Sequence, residues 1–190
     1  MPTGIGGEQF WLSATNDNTG TSTAFNDQSG NGNDCTASGT LVVADTSEGG
    51  SYAFDLDGTN DYISRADSTS LRIDNPSGIA ISAWIRPDTV SGGDSFDTTN
   101  PRFIVAKGNL ATDFNYALRL LGGKLDFIYR ASSNTTYVGQ RETTASVSAG
   151  AWQHVCLSGD SSGYKLYVDG VETASAASGP LTSAAQTCEE

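Results

Sequence analysis

The sequence predicts an all-β fold, a sandwich or a barrel, in one domain. Strand-like segments recur at short intervals between glycine-rich turns, without helical periodicity between them, which is typical of these two architectures. Hydrophobic residues make up 37% of the chain and charged residues 17%. Gly, Ser, Thr, Asn and Asp fill most of the rest, and they favour turns and strand edges over helices. A length of 190 residues fits one large sandwich.

The first part of the chain predicts a strand, a loop and a hairpin. The apolar run at residues 10–12 predicts a first strand, and the Asn-, Thr-, Ser- and Gly-rich stretch through Asn33 predicts an extended loop. Residues 52–56 and 61–64 flank a turn-rich tetrad, so we expect them to pair as a hairpin.

A regular alternation begins at Ile79. Its apolar face includes Ile81 and Ile85, and its other face carries Ser82 and Trp84, which is the period of two expected of a strand. Residues 90–101 predict a polar loop. Further strands are predicted at residues 102–107, 116–121, 124–130, 152–158 and 164–169.

The charge balance excludes some classes of partner. The formal net charge is −12, from 22 acidic and 10 basic residues, so a phosphate backbone or an anionic membrane would be repelled. We expect neither nucleic acid binding nor membrane insertion. The N-terminal residues lack the basic start and apolar run of a secretory signal peptide. Two explanations stay open: a signal has been removed, or the protein reaches its site by another route, such as assembly into a particle released when the host lyses. The expected location is a virion surface or the outside of the cell.

Three cysteines, Cys35, Cys156 and Cys188, are far apart and form no CxxC motif. We expect neither a disulfide framework nor a structural zinc site. Cys156 lies in an apolar strand pattern, which predicts a small core residue.

One loop carries a candidate metal site. Asp27, Ser29, Asn31 and Asn33, with Gly32 among them, provide alternating oxygen ligands and a turn glycine like those that open an EF-hand loop. The closing bidentate glutamate is missing, since Ser38 occupies its position. Two interpretations stay open: a calcium site completed by a carboxylate from elsewhere, or a loop held by Asx turns and glycines.

The sequence predicts no catalytic site. Glycoside hydrolysis needs two closely spaced carboxyl groups, and no Glu-x-Asp-x-x-Glu pattern occurs. The single histidine, His154, lies in a strand, and no Gly-x-Ser-x-Gly motif accompanies it, so we expect it to be structural. Residues able to contact a sugar exist, but none is assigned to a site. They are Tyr137, Arg141 and residues 94–100, whereas Trp11, Trp84 and Trp152 are expected in the core.

Five motifs, taken in order, resemble the laminin G-like, concanavalin A-like jelly-roll family, chiefly its bacterial and phage-borne members. The resemblance covers most of the chain, and its first motif contains the candidate calcium loop. The motifs are DQSGNGND at 27–34, FDLDGTNDYI at 54–63, IAISAWIRP at 79–87, WQHV at 152–155 and LYVDG at 166–170.

The resemblance implies a two-sheet antiparallel jelly-roll sandwich over residues 1–190. Relatives usually continue past the LYVDG strand into two more strands, so residues 176–190 are expected to be a tail or a non-standard closing segment. Two alternatives follow: the sandwich uses residues 174–188 in a different way, or it leaves an open sheet edge with which a neighbouring subunit or a second copy could pair. The resemblance also favours calcium at the Asp27 loop.

We expect a non-catalytic recognition or display module of a larger assembly. The first expectation is a phage virion surface protein, a capsid decoration or tail-associated component that adheres to glycans or cell surfaces. A free extracellular calcium-dependent carbohydrate-binding module is the alternative, and a glycoside hydrolase-like protein comes third. These expectations depend on analogy of fold.

Overall fold

The structure is a computed structural model, and it describes residues 9–15, 23–45, 52–72, 78–90, 102–109, 113–129, 138–160 and 163–176. The chain divides into two compact units, Met1–Leu71 and Arg72–Glu190. Each is considered by itself, and the single domain over 1–190 stays a prediction. In these described ranges, no helix is long and apolar enough to cross a membrane.

The strands, in chain order, alternate with short turns, and a 3-10 helix at Thr69–Leu71 follows the first five. The first unit contains β1 (Ala24–Phe25), β2 (Cys35–Ser38), β3 (Val42–Asp45), β4 (Tyr52–Asp55) and β5 (Tyr62–Ser64). The second contains β6 (Ile79–Ile85), β7 (Arg102–Asn109), β8 (Asp113–Leu121), β9 (Lys124–Tyr129), β10 (Val138–Ser146), β11 (Gln153–Asp160), β12 (Gly163–Val168) and β13 (Val171–Ala176).

The second unit is a sandwich of two four-stranded antiparallel sheets, ordered β10-β9-β8-β7 and β13-β12-β11-β6. Both sheets contribute to one hydrophobic core. Leu118 and Phe127 come from the first sheet, Leu157 and Leu166 from the second, and all four are 0% exposed. Burial of each such side chain contributes about 1.5–3 kcal/mol. The predicted all-β sandwich is confirmed.

In the first of these sheets, β8 and β9 are buried on both faces. Ala117 and Ile128, on the face opposite the main core, are 0% and 3% exposed and pack with Phe103. On that same face, Arg119 Nε donates to Asp126 Oδ2 at 2.7 Å, directly across the two strands. This ion pair is held away from water, because the two side chains are 6% and 0% exposed.

The first unit has its own small core. Its sheets have the orders β1-β2-β5 and β3-β4. Phe25 is 1% exposed and meets Phe54 edge to face, with ring centroids 4.9 Å apart. Cys35 lies in this core, and burial raises the pKa of its thiol to about 11.

The strand predicted at residues 10–12 is wrong. Trp11 donates its backbone N–H to Asp27 Oδ1 at 3.0 Å, and its carbonyl accepts from the Gln28 N–H at 2.8 Å. A side-chain carboxylate thus takes the backbone donor that a sheet ladder would use. The stretch predicted as loop through Asn33 also contains β1.

The predicted hairpin between residues 52–56 and 61–64 is also wrong. Strand β4 pairs with β3, and β5 pairs with β2. The connection between them is an Asx-type loop, in which Asp57 Oδ1 accepts from the Thr59 N–H at 2.7 Å and the Asn60 N–H at 3.1 Å. This loop carries the chain from one sheet to another instead of folding it back.

The remaining strand predictions are confirmed with small shifts at their ends, as β6, β7, β8, β9, β11 and β12. Strands β2, β3, β10 and β13 were not predicted. The chain thus continues past the LYVDG motif into β13, which pairs with β12. Residues 177–190 and the predicted loop at 91–101 lie outside the described residues.

We expect Arg119→Met to destabilise the protein by about 3–5 kcal/mol, because it leaves Asp126 as a buried charge without its cation. The double variant Arg119→Met with Asp126→Leu should recover most of this loss, since an apolar pair often replaces a buried ion pair at little cost. Urea unfolding of both variants measures the difference. Equal destabilisation of the two would contradict this account.

We expect Gly39→Ala to destabilise the protein more than Gly58→Ala does. Gly39 has φ +82°, and a Cβ there would overlap the Asp61 carboxylate and lie 3.0 Å from the Asn60 carbonyl oxygen. Gly58 has φ +71°, but a Cβ there meets nothing within 4 Å. Gly58→Ala is therefore the control, and it should lower the free energy of unfolding only by the backbone strain, about 1 kcal/mol. Gly39→Ala should lower it by about 2 kcal/mol or more. Thermal unfolding of both variants compares them.

Candidate functional site

The sheet β13-β12-β11-β6 turns an aromatic and polar surface away from the core. Along β6 the burial alternates, with Ile79, Ile81, Ala83 and Ile85 packed against the core. The residues between them point outward, and the same alternation runs along β11 and β12. We call this surface the outer aromatic face, and it comprises Ser82, Trp84, Arg86, Trp152, His154 and Tyr167.

Trp84 is the most open aromatic side chain of this face, with 66% of its surface exposed. Its predicted place in the core is therefore wrong. The alternation of β6 gives the core side to Ala83 and Ile85, so Trp84 between them must point to the opposite side. Trp11 and Trp152 are half-buried.

His154 lies beside Trp84 on the neighbouring strand. The two residues are directly paired in the β6–β11 register, and their ring centroids are 5.4 Å apart at an interplanar angle of 57°. His154 Nε2 and Ser82 Oγ form a 2.7 Å hydrogen bond, whose donor depends on the imidazole tautomer. Trp84, His154 and Ser82 thus form one contiguous group.

Asp169 fixes the backbone under this group. Its Oδ1 accepts from the His154 backbone N–H at 2.9 Å, and its Oδ2 accepts from Gln153 Nε2 at 3.0 Å. The hydrogen bond from Gln153 and then that from His154 lower the pKa of Asp169. Asp169 has φ 50°, the left-handed conformation that begins the turn into β13. The His154 backbone is thus held by Asp169, while its ring contacts Trp84.

Arg86 and Trp152 extend the face beyond the ends of β6 and β11. The Arg86 Cζ lies 5.7 Å from the centre of the Trp152 ring, within the range of a cation–π contact. At the other side, Lys165 Nζ pairs with Glu172 Oε2 at 2.8 Å. Hydrogen bonding to Glu172 raises the pKa of Lys165.

Cys156 also lies on the outward side of β11, where it is half-buried, while Val155 and Leu157 occupy the core. Its predicted place as a small core residue is wrong, because the alternation of the strand places it on the opposite face. Burial nevertheless raises the pKa of its thiol. Cys35 and Cys156 are both free, and Cys188 lies outside the described residues.

Asp169 does not complete a catalytic triad with Ser82 and His154. Ser82 and His154 resemble a nucleophile and its base, but Asp169 contacts the histidine backbone and not its ring. The third group that orients the base in a triad is therefore not provided by Asp169. Among the described residues, no cluster of three or more His, Cys, Asp or Glu side chains could hold a metal ion.

The candidate calcium loop is brought together around Asp27, which is 8% exposed. Asp27 Oδ1 accepts from the Trp11 N–H at 3.0 Å and the Ser29 N–H at 2.9 Å. Asp27 Oδ2 accepts from Ser29 Oγ at 2.7 Å and from the Asn33 N–H at 2.9 Å. Burial raises the pKa of Asp27, and these hydrogen bonds outweigh it, so the pKa is lower than usual.

The other predicted ligands are engaged in the same network. The Asn31 backbone and side-chain nitrogens both donate to Ser29 Oγ, at 3.3 and 3.1 Å. Asn33 is 1% exposed, and its Oδ1 accepts from the Arg65 guanidinium and from Ser70 Oγ.

This arrangement does not fit a cation. A carboxylate has about four acceptor positions, and four donors already point at Asp27. A calcium ion needs oxygen lone pairs directed at it. Here the Ser29 hydroxyl donates to Asp27, and the positively charged Arg65 guanidinium donates to the Asn33 side-chain oxygen. The geometry matches the Asx-turn interpretation, and calcium at this loop stays a prediction.

The residues that the sequence offered for sugar contacts are largely outside the described residues. Tyr137 and residues 94–100 are not described, and Arg141 lies in β10. The Trp84 and His154 pair was not proposed as a site. The alternation in β6 was the signal that could have found it, because it already assigned Trp84 to the side opposite Ile81 and Ile85.

We expect Asp27→Asn to destabilise the protein by about 2 kcal/mol at pH 7, since an amide nitrogen would face N–H donors. The lowered pKa means that the charged carboxylate stabilises the fold above the unfolded-state pKa, near 3.9. That stability is lost as the pH falls through the lower folded-state value, so wild type and variant should converge in acid. Urea unfolding from pH 7 down to pH 2.5 measures this, with Ser29→Ala as a milder control. A constant difference across that range would contradict it.

Comparison with known proteins places the fold. The structure resembles the binding domain of paraclostridial mosquitocidal protein 1, with a TM-score of 0.67 and 16% identity over 95% of this chain. It also resembles domain 4 of AbnA, a GH43 extracellular arabinanase from Geobacillus stearothermophilus solved with arabinotriose, with a TM-score of 0.59 and 22% identity over 94% of this chain. A third similar structure is the botulinum neurotoxin serotype G binding domain, with a TM-score of 0.63 and 16% identity over 89% of this chain.

The chain spans 42% of the mosquitocidal binding-domain structure, 81% of the arabinanase structure and 39% of the neurotoxin structure. At these identities the resemblance concerns the fold. Comparison with curated proteins gives no match.

The family itself is shown by sequence. Residues 57–188 match the family model Laminin_G_3, described as the concanavalin A-like lectin/glucanases superfamily. The matched region contains four of the five motifs wholly or in part, together with every residue of the outer aromatic face. The predicted resemblance is therefore confirmed, and its phage-borne branch stays a prediction. This chain belongs to the concanavalin A-like lectin/glucanases superfamily.

Proposed function

We propose that the chain is a non-catalytic recognition module that binds a carbohydrate or another cell-surface ligand through its outer aromatic face. The observation that carries this proposal is the exposure of Trp84, 66%, beside the His154 ring. Exposed apolar surface rimmed by polar groups is typical of interaction sites. An indole ring also provides a flat apolar surface against which the C–H face of a sugar can stack.

The polar neighbours suit the hydroxyl groups of such a ligand. Ser82 Oγ can donate and accept, and a neutral imidazole has one donor and one acceptor nitrogen. Their mutual hydrogen bond of 2.7 Å keeps both at the edge of the Trp84 ring. Both residues lie on paired strands, and a site on such elements loses little conformational freedom when it binds.

The comparisons support a binding role outside the cell. The arabinanase domain was solved with arabinotriose, and the toxin structures are named as binding domains. A further similar structure is from an S-layer domain-containing protein of Clostridium thermocellum, with a TM-score of 0.51 and 20% identity. Together with the superfamily, they favour an extracellular or surface-associated module.

The module works, in our proposal, as part of a larger assembly such as a phage virion surface. In the described part of the second unit, β13 is an edge strand of its sheet, and its Val171 is 64% exposed. An edge strand offers free backbone groups to a neighbouring subunit. A free extracellular module that needs calcium is the alternative, and the hydrogen-bonded state of Asp27 does not favour it.

We expect Trp84→Ala to weaken saccharide binding at least about tenfold, which corresponds to ~1.4 kcal/mol. Its melting temperature should stay close to that of wild type, because an exposed substitution changes stability by about 0.5 kcal/mol or less. A glycan array selects the saccharide, and calorimetric titration compares the variants, with arabinotriose included as a defined probe.

The matched control is Tyr62→Ala, which removes another exposed aromatic side chain, 55% exposed, from β5 in the first unit. It should bind as wild type does. The proposal fails if no saccharide binds, or if Trp84→Ala and Tyr62→Ala behave alike.

A further inference from the structure

We propose that the outer aromatic face prefers saccharides that carry a carboxylate, such as uronic acid or sialic acid residues, and that Arg86 binds this carboxylate. The inference rests on the proposed function, since it takes the saccharide to stack on Trp84. It adds the chemical class of the ligand and the residue that selects it.

Arg86 has the position that this role requires. It is exposed, it follows Trp84 by two residues, and β6 ends between them at Ile85. Two residues of strand span about 6.6–6.8 Å, a distance that an arginine side chain can bridge. A saccharide on the Trp84 ring would therefore lie within reach of the guanidinium.

Trp152 lies beside the guanidinium. The Arg86 Cζ is 5.7 Å from the centre of the Trp152 ring, and Trp152 directly precedes β11, whose Gln153 pairs with Ile85. A cation–π contact does not use the guanidinium N–H groups as hydrogen-bond donors. Those groups can pair with the two oxygens of a carboxylate.

Arg86 still has its positive charge to offer. Of the other cations in the described part of the second unit, Arg119 pairs with Asp126 and Lys165 with Glu172. No carboxylate among the described residues forms an ion pair with Arg86. A cation beside an aromatic ring, with no carboxylate partner in the described part of the chain, suits an anionic ligand.

The acidic character of the whole chain does not oppose this preference. The net charge is −12, but charges beyond about 8 Å are largely screened at physiological ionic strength. Of the acidic residues near the face, Asp169 accepts from Gln153 and His154, and Glu172 is neutralised by Lys165. Asp88, two residues after Arg86, is exposed to solvent. Among the residues of the outer aromatic face, Arg86 is the one that carries a full positive charge at neutral pH.

The test compares acidic saccharides with neutral partners of similar shape. Trigalacturonate and sialyllactose are each compared with their own methyl esters, by calorimetric titration of the full chain. We expect at least one acidic saccharide to bind about tenfold tighter than its neutral partner, as a charge-assisted hydrogen-bonded pair provides. Arg86→Gln should remove this difference, so that the ratio of the two affinities falls to about one.

Three further variants make the result specific. Lys165→Gln, a cation on the same sheet that is already paired, should keep the preference. Arg86→Lys should keep part of it, because lysine retains the charge but not the two-pronged donor geometry. Trp84→Ala should weaken binding of acidic and neutral saccharides alike. Unchanged melting of Arg86→Gln shows that the variant is folded.

The outcomes separate this inference from the proposed function. Equal affinity for acidic and neutral saccharides, or an undiminished preference in Arg86→Gln, overturns the role of Arg86 while the Trp84 site stands. Failure of every saccharide to bind wild type, or unchanged binding in Trp84→Ala, overturns both.

Discussion

The strict alternation of β6 and β11 is the constraint on which the rest of the second unit depends. One side of each strand packs against the shared core through isoleucine, valine and leucine side chains. The residues between them must therefore point to the opposite face of the sheet. The core and the outer aromatic face are therefore two results of the same register. A slip of one residue would bury Trp84 and His154 and expose Ile81 and Leu157.

The two sheets of the sandwich differ in the exposure of their polar side chains. In the first sheet, strands β8 and β9 are buried on both faces, and the ion pair of Arg119 and Asp126 is enclosed there. In the other sheet the outward side chains meet solvent, and their hydrogen-bonding capacity is partly available. The recognition role that we propose therefore concerns the sheet whose outward side chains meet solvent.

The sequence predicted the regular half of the fold because alternation is a local signal. It found β6 to β9, β11 and β12, whose side chains meet a common core. It failed where side chains capture the backbone: Asp27 takes the Trp11 amide from the supposed first strand, and Asp57 shapes a crossing loop instead of a hairpin. The hydrogen bond between Trp11 and Asp27 joins residues that only the tertiary fold brings together, so it cannot be predicted from composition or local pattern.

The candidate site was predictable in part. The face of β6 that carries Trp84 follows from the sequence, but its pairing with His154 depends on which strand lies beside β6. A preference for placing tryptophan inside then assigned Trp84 to the core, although it conflicted with the alternation. At Asp27 the sequence left a metal site and an Asx-turn loop open, because both use the same residue types, and only the direction of the hydrogen bonds distinguishes them.

The hydrogen bond between Ser82 and His154 has a consequence for how the protein folds. These residues are 72 positions apart in the chain, so β6 must wait for β11 before their sheet can form. Bringing together residues so far apart in the chain lowers its entropy before any stabilising contact forms, so the pairing of these strands is slow. The outer aromatic face therefore arises late, and a nascent or partly folded chain does not display it.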